Sequence, residues 1–251
     1  TIKNYEDGVT APSAERVQSL ASALNEDEAF FYAPPIDVGY SHEGVFFRDA
    51  ARNRVTDQKA AGRELEGIME LAHVVLKYVN IPDAKIPSLD VPADPREIDS
   101  AMIEKAAEQL RSYWNLGFEP VRNLTRVAEL NGILIQSFVL DYEALDALSI
   151  WSDVLERPIV LLNSAKRSAV RSRFDLAHEL GHMLLHRSVT PELRSEASYH
   201  KFLERQAHQF ASALLLPAET WREEVGGVTL KGLLRLKPRW KVSVAAQLIR
   251  A

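Results

Sequence analysis

The stretch RFDLAHELGHMLLH, residues 173–186, has the apolar spacing of an amphipathic helix, and Ser172 before it is the predicted N-cap. His178 and His182 are four residues apart, so both imidazoles stand on one face of the helix and can reach one metal ion. Glu179 lies on the neighbouring flank, where it cannot join them as a ligand but can act as a general base towards water. The stretch therefore predicts a helix with two metal ligands and a catalytic glutamate, and zinc is the metal for which this spacing is typical.

A third protein ligand is expected, because a catalytic zinc site has three such ligands and one open position. A histidine six residues after His182 would complete one type of metalloprotease site, but Ser188 occupies that position. The helix predicted for residues 199–216 has Glu204 beside its apolar stripe, and a carboxylate from a second packed helix is a common third ligand. The spacing alone leaves four other candidates open: Glu192, Glu196, His200 and His208.

Several neighbours of the motif receive supporting roles in this interpretation. His208 shares a helix face with Glu204, so it either supports the ligands or stabilises the oxyanion, for which Tyr199 and Arg173 are alternatives. His186 is a second helical turn away from His178, and we predict a packing or surface role for it. Gly181, in the middle of the helix, is expected to allow a neighbouring strand to approach closely.

The amino-acid composition limits the residue types that could bind a metal and the classes of protein to which the chain could belong. The chain of 251 residues has no cysteine, which excludes disulfides and thiolate ligands and leaves histidine and carboxylate for any metal. No apolar run is long enough to cross a bilayer and no secretory segment is present, so we expect a soluble, cytoplasmic protein without a membrane partner. The net charge of −5 does not favour nucleic-acid binding by the whole chain. One basic stretch could bind nucleic acid locally, although a solvated helix face is the favoured interpretation; its cations are Lys231, Arg235, Lys237, Arg239, Lys241 and Arg250.

The remaining periodicity predicts an α+β fold that is mostly helical. A small sheet of three or more strands is expected to pack on a zincin-like helix that carries the HExxH motif. The predicted strands are 132–138, 148–151 and 158–162, and the predicted helices include 56–80, 98–115 and 120–131. The sequence divides into short helices over 1–34, a connecting segment with a possible hairpin and a long helix over 35–97, and a domain over 98–251 that carries the HExxH motif.

The run RFDLAHELGHMLLH, followed by ERQAHQFASALLLP, resembles the ImmA/IrrE family of metallo-endopeptidases. The strand region LSIWSDVLERPIVLLN resembles that family as well. The resemblance implies zinc as the cofactor and Glu204 as the third ligand beside His178 and His182.

The opening segment TIKNYEDGVTAPSAERVQSLASAL resembles the second half of a Cro/C1-type helix-turn-helix. On this resemblance the recognition helix ends within residues 1–5, and Lys3 and Asn4 are the candidate DNA contacts. The chain opens with Thr1 and not with Met, so we expect the true N-terminus to be missing. The terminal stretch LKPRWKVSVAAQLIRA resembles family members that fuse the two domains, and this resemblance implies that the protein continues past this C-terminus as well.

The resemblance implies a bacterial or phage-encoded regulator that cleaves a helix-turn-helix repressor. Its partners would be that protein substrate and, through a complete helix-turn-helix, DNA; the oligomeric state stays open, with a dimer as one alternative. A second hypothesis is an antitoxin-like DNA-binding regulator whose peptidase fold is inactive or sensory. A third is a zinc hydrolase of a small amide, which a narrow cleft would favour.

Overall fold

The computed structural model describes residues 2–34, 36–40, 46–47, 55–139, 146–165, 168–190, 193 and 196–251. The chain divides into two compact units, residues 1–37 and 38–251. The division at residues 34 and 97 that we expected from the sequence stays a prediction.

The first unit consists of short helices. Ser13 caps the longest of them, because its hydroxyl accepts a hydrogen bond from the backbone N–H of Arg16. The apolar stripe that the sequence indicated is buried at Val17 and Ala21. The helices are α1 (Ile2–Glu6), α2 (Ala14–Leu24) and a 3-10 helix (Glu28–Tyr32).

The second unit contains a mixed sheet, as expected for an α+β fold. Its strands are β1 (Phe46–Phe47), β2 (Leu134–Phe138), β3 (Ala147–Ser152) and β4 (Arg157–Asn163), arranged in the order β1-β3-β4-β2. The pair β2 and β4 is parallel, and the other two pairs are antiparallel. All seven residues of β4 are buried, which explains why its sequence is a continuous apolar run and not an alternating one.

Helices cover both faces of this sheet. Val160 and Leu162 of β4 face a large core that they share with the helices around the HExxH motif. Ile159 and Leu161 point the opposite way, towards a smaller core that contains Leu65 and the rest of the α3 stripe. The described helices of this unit are α3 (Val55–Val75), a 3-10 helix (Pro95–Glu97), α4 (Ser100–Tyr113), α5 (Leu124–Leu130), α6 (Ala169–Leu185), α7 (Ala197–Leu215), α8 (Ala218–Val225), α9 (Leu230–Trp240) and α10 (Val244–Arg250).

Helix α6 differs from the sequence prediction in two respects: the residue that caps its N-terminus and the element that packs against Gly181. Ser168 is the N-cap, because its hydroxyl accepts from the N–H of Arg171, so the prediction of Ser172 was wrong. The element that approaches Gly181 is helix α7 and not a strand: a Cβ at this position would lie 3.1 Å from the Cα of Ala207 and 3.1 Å from the ring of Phe210. The glycine therefore lets two helices pack closely where the functional side chains lie.

A buried arginine ties α4 to α7. The guanidinium of Arg111 donates to the carbonyl oxygens of Gly117, Glu119 and Leu214, each at 2.6 Å. Burial lowers the pKa of Arg111 to about 10, so the side chain stays charged at neutral pH. It thereby supplies hydrogen-bond donors to three backbone carbonyl oxygens.

The basic stretch near the C-terminus is engaged within the molecule. Arg239 pairs with Glu224 and Glu119, and Lys241 donates to the carbonyl of Arg122. Arg250 pairs with Glu104. These contacts favour the interpretation of a solvated helix face over that of a nucleic-acid site. Among the helices of the described ranges, none is both long and apolar enough to cross a membrane.

Candidate metal centre

Helices α6 and α7 bring two histidines and a glutamate together. The Nε2 atoms of His178 and His182 lie 3.0 Å apart. The carboxylate of Glu204 lies 3.1 Å from Nε2 of His182 through Oε1 and 3.3 Å from Nε2 of His178 through Oε2. We call these three residues the ligand triad. Their proximity follows from the helical spacing on α6 and from the close packing that Gly181 allows.

The ligand triad fits a zinc ion. Ligand atoms at the usual zinc distances in a tetrahedron lie about 3.3 Å from one another, which is close to the three separations observed. Two imidazoles and one carboxylate are also a donor set typical of catalytic zinc, with a fourth position left for solvent or substrate. Both histidines are buried, whereas the side chain of Glu204 is 15% exposed, so solvent reaches the site from the α7 side.

His208 stands next to the ligand triad. Its ring centroid is 4.5 Å from that of His178, and potential ligand atoms of His178, Glu204 and His208 all lie within 4.8 Å of one another. Two alternative ligand sets therefore share His178 and Glu204. We favour His182 over His208 as the third member, because its Nε2 is within 3.1 Å of both partners. This leaves His208 beside the centre, where the sequence interpretation put it.

Glu179 lies on the same helix, is fully buried, and accepts a hydrogen bond from a residue of the sheet. The hydroxyl of Ser149, in β3, donates to Oε2 of Glu179 at 2.5 Å. Ser149 is itself fully buried, between the apolar residues Leu148 and Ile150 of the strand. A buried carboxylate needs such donors, and this one also fixes the side-chain orientation of the predicted general base.

Two buried polar side chains, His186 and Gln206, form a chain of hydrogen bonds that begins at Nδ1 of His182. Its Nδ1 lies 2.9 Å from Nδ1 of His186, whose Nε2 lies 3.1 Å from Oε1 of Gln206. The amide nitrogen of Gln206 donates to the carbonyls of Pro95 and Ile98, each at 2.8 Å. His186 thus has a buried packing role, one of the two alternatives expected for it, and makes specific hydrogen bonds there.

Burial dominates the electrostatics of the site. It lowers the pKa of His178 to about 3, so the imidazole is neutral at physiological pH, as a metal ligand must be. Burial raises the pKa of Glu204, but hydrogen bonds with His178 and His182 lower it by more. Glu204 is therefore a carboxylate, and the ligand triad carries one negative charge towards a cation.

The other sequence candidates lie at separate positions. The carboxylate of Glu196 accepts from the hydroxyl of Ser198 at 2.6 Å, at the start of α7. The guanidinium of Arg96 lies over the ring of Tyr199, and that of Arg173 donates to the carbonyl of Val121. Neither Glu196 nor His200 forms a potential metal group in the part of the chain that the structure describes. Glu192 lies outside the described residues, and the exposed Lys3 and Asn4 belong to the first unit.

A large cavity adjoins the site at His208. Its volume is about 830 Å³, within the usual range for binding clefts. The lining includes Phe174 from α6, Gln206 and His208 from α7, and three arginines from different elements: Arg96, Arg205 and Arg250. His208 connects this cavity to the metal centre, whereas the three residues of the ligand triad do not line it.

Comparison with known proteins agrees with this site. Residues 128–251 match the family model Peptidase_M78, described as the IrrE N-terminal-like domain. No curated protein matches the chain. The match includes all three members of the ligand triad together with Glu179, and it supports both the resemblance to the ImmA/IrrE family and a metallopeptidase-like fold. The carbonyls of Pro95 and Ile98 that hold Gln206 lie outside the matched region.

Sequence reasoning missed Ser149 and Gln206. Ser149 interrupts the apolar run of β3, and a polar residue in a buried strand is a usable signal when a charged partner is expected nearby. Gln206 is two residues after Glu204, but the carbonyls that it binds are more than a hundred residues away in sequence. Spacing along the chain gives no indication of such contacts.

Proposed function

We propose that this chain is a zinc-dependent endopeptidase that hydrolyses a peptide bond in a protein substrate. The observation that carries the proposal is the ligand triad, in which each pair of residues has potential ligand atoms within 3.3 Å of each other, with Glu179 fully buried on the same helix as the two histidines. A tetrahedral zinc site with these three protein ligands has one coordination position left for substrate or water.

Each residue of the site has a separate role in the proposed hydrolysis. His178, His182 and Glu204 would hold the zinc ion, which would supply a Lewis acid for the scissile carbonyl and lower the pKa of a bound water molecule. The carboxylate of Glu179 accepts the proton of the attacking water and delivers it to the leaving nitrogen. Ser149 holds Glu179 in place through Oε2, and His208, at the side of the site open to the cavity, is the candidate donor to the oxyanion.

We further propose that the substrate is a helix-turn-helix repressor, so that cleavage relieves transcriptional repression. The support is the resemblance of residues 128–251 to the ImmA/IrrE family and that of the first unit to a Cro/C1-type helix-turn-helix. DNA contacts through Lys3 and Asn4 belong to the same proposal.

The test combines zinc analysis with cleavage assays. Purified protein is expected to hold about one zinc ion per chain and to cut a helix-turn-helix repressor. Glu179→Gln should retain the zinc and lose cleavage, because it keeps the ligands and removes the base. Glu219→Gln, on an exposed surface of α8, is the matched control and should cleave normally.

Two results would contradict the proposal. One is protein that binds no zinc and cuts no repressor. The other is zinc-loaded protein that binds an operator equally well with Glu179 or Gln at this position and never cleaves, which would favour the regulator with an inactive peptidase fold.

A further inference from the structure

We infer that Gln206 is a positioning residue of the metal centre, which acts through His186 to hold His182 with its proton on Nδ1 and a bare Nε2. We call His182, His186 and Gln206 the tautomer relay. The inference rests on the proposed metal site, because a bare Nε2 is useful only if it binds a cation. It deepens that proposal by assigning a role to two residues that do not contact the metal.

The orientation of the Gln206 amide is the first step. Backbone carbonyl oxygens only accept hydrogen bonds, and the side chain lies 2.8 Å from two of them, those of Pro95 and Ile98. The group that faces them must therefore be the NH₂ group, which has two hydrogens to donate. The amide oxygen, Oε1, is consequently the atom that faces His186, and it can only accept.

The proton of His186 follows from this orientation. Its Nε2 lies 3.1 Å from Oε1 of Gln206, so Nε2 must carry the hydrogen. His186 is fully buried, and burial disfavours the charged form of its ring. The ring is thus neutral, and its Nδ1 is an acceptor.

His182 completes the relay. Its Nδ1 lies 2.9 Å from the accepting Nδ1 of His186 and must be the donor. In its neutral form, which is the form that binds a metal, His182 has one N–H group, so its Nε2 then holds a lone pair. This lone pair lies 3.1 Å from Oε1 of Glu204, another acceptor. Two acceptors at this distance repel each other unless a cation or a proton lies between them, so the relay prepares the ligand triad for a metal.

The relay acts on one of the two histidine ligands. Nδ1 of His178 is buried and has no hydrogen-bond partner among the described residues, so nothing comparable sets the tautomer of that ring. In the other tautomer of His182, an Nε2–H group would donate to Glu204 and occupy the position that a metal needs. Gln206 and His186 remove this competing state. Partners of this kind, which orient a ligand without touching the metal, commonly contribute 10–100-fold, roughly, to metal affinity.

The direct test reads the tautomer in metal-free protein with ¹⁵N-labelled histidine by long-range ¹H–¹⁵N NMR. We expect His182 to be protonated at Nδ1 and His186 at Nε2. A metal-free His182 protonated at Nε2 would overturn the inference. This measurement uses the wild-type protein, so it decides the matter even if a variant of Gln206 fails to fold.

The second test measures zinc affinity by competition with a chelator. Gln206→Leu should bind zinc about 10–100-fold more weakly, because His182 then populates both tautomers. Gln209→Leu is the matched control: it makes the same change one turn along α7, where the side chain lines the cavity, and should bind zinc as the wild type does. Equal affinities of wild type and Gln206→Leu would refute the relay while leaving the zinc site intact. If the wild type bound no zinc, the proposed function would be refuted instead. The NMR measurement would still test the tautomer relay, because it uses metal-free protein.

Discussion

Gly181 gives the sharpest test of how α6 and α7 are packed. In an exposed helix, replacing glycine by alanine stabilises the fold by about 1 kcal/mol. At Gly181 the added Cβ would lie 3.1 Å from Cα of Ala207 and 3.1–3.2 Å from two atoms of Phe210, so the neighbouring helix must move by a few tenths of an ångström. Ala207 and Phe210 are fully buried and cannot turn away. Such overpacking costs about 1–3 kcal/mol.

The expected outcome is that Gly181→Ala lowers the free energy of unfolding by up to about 2 kcal/mol, because overpacking outweighs the gain in helix propensity. Gly67→Ala is the matched control, since Gly67 is exposed in the middle of α3 and a Cβ there meets nothing within 4 Å. This control should gain stability by about 1 kcal/mol. The propensity contribution is common to both, so the difference between the two variants isolates the packing cost.

Urea unfolding of metal-free protein measures both variants under identical conditions. If Gly181→Ala were stabilised as much as Gly67→Ala, the close approach of α6 and α7 would be refuted. The argument that this approach brings Glu204 to the two histidines would fail with it.

Three further outcomes are expected. Ser149→Ala should lower kcat by roughly 10–100-fold while zinc content is unchanged, because a hydrogen bond to a charged group contributes about 1.5–3 kcal/mol and this one orients Glu179; an unchanged kcat would show that Ser149 does not position the base. Arg111→Met should reduce the free energy of unfolding by about 3–5 kcal/mol, since three buried carbonyls lose their donor, and urea unfolding would contradict this if the loss were under about 1 kcal/mol. The unfolded chain protonates His178 near pH 6.5 and the folded chain only near pH 3, so metal-free protein should lose stability as the pH falls through this window, by up to about 1.4 kcal/mol per pH unit. His178→Gln should show a shallower decline in pH-dependent unfolding, and an identical slope would argue against this assignment.

The sequence predicted helix α6 because the apolar spacing of a helix is a local property. His178, His182 and Glu204 stay predicted ligands, and the structure brings their ligand atoms close together. The spacing of His178 and His182 follows from the helical period alone, and Glu204 could be proposed because it borders the packed face of a second helix. Three of the four described strands, β2, β3 and β4, were predicted within two residues of their observed ends. The buried strands β3 and β4 leave mostly apolar runs in the sequence.

What the sequence could not predict depends on tertiary contacts. Ser149 reaches Glu179 only because β3 lies against α6 in one register, and that register is set by pairing with β4. The sequence prediction for His186 rested only on its distance from His178. It did not include the contacts of His186 with His182 and Gln206, and it therefore underestimated the role of this residue. The neighbour of Gly181 was assigned to the sheet, because helical periodicity does not reveal which element packs on a given face.

The most direct test of the account is anomalous diffraction at the zinc edge from crystals grown with zinc. We expect a single strong peak bonded at about 2.0–2.2 Å to Nε2 of His178, Nε2 of His182 and a carboxylate oxygen of Glu204. A zinc ion held by His178, Glu204 and His208 with His182 unbound, or no zinc between α6 and α7, would contradict the ligand triad and the hydrolytic function built on it.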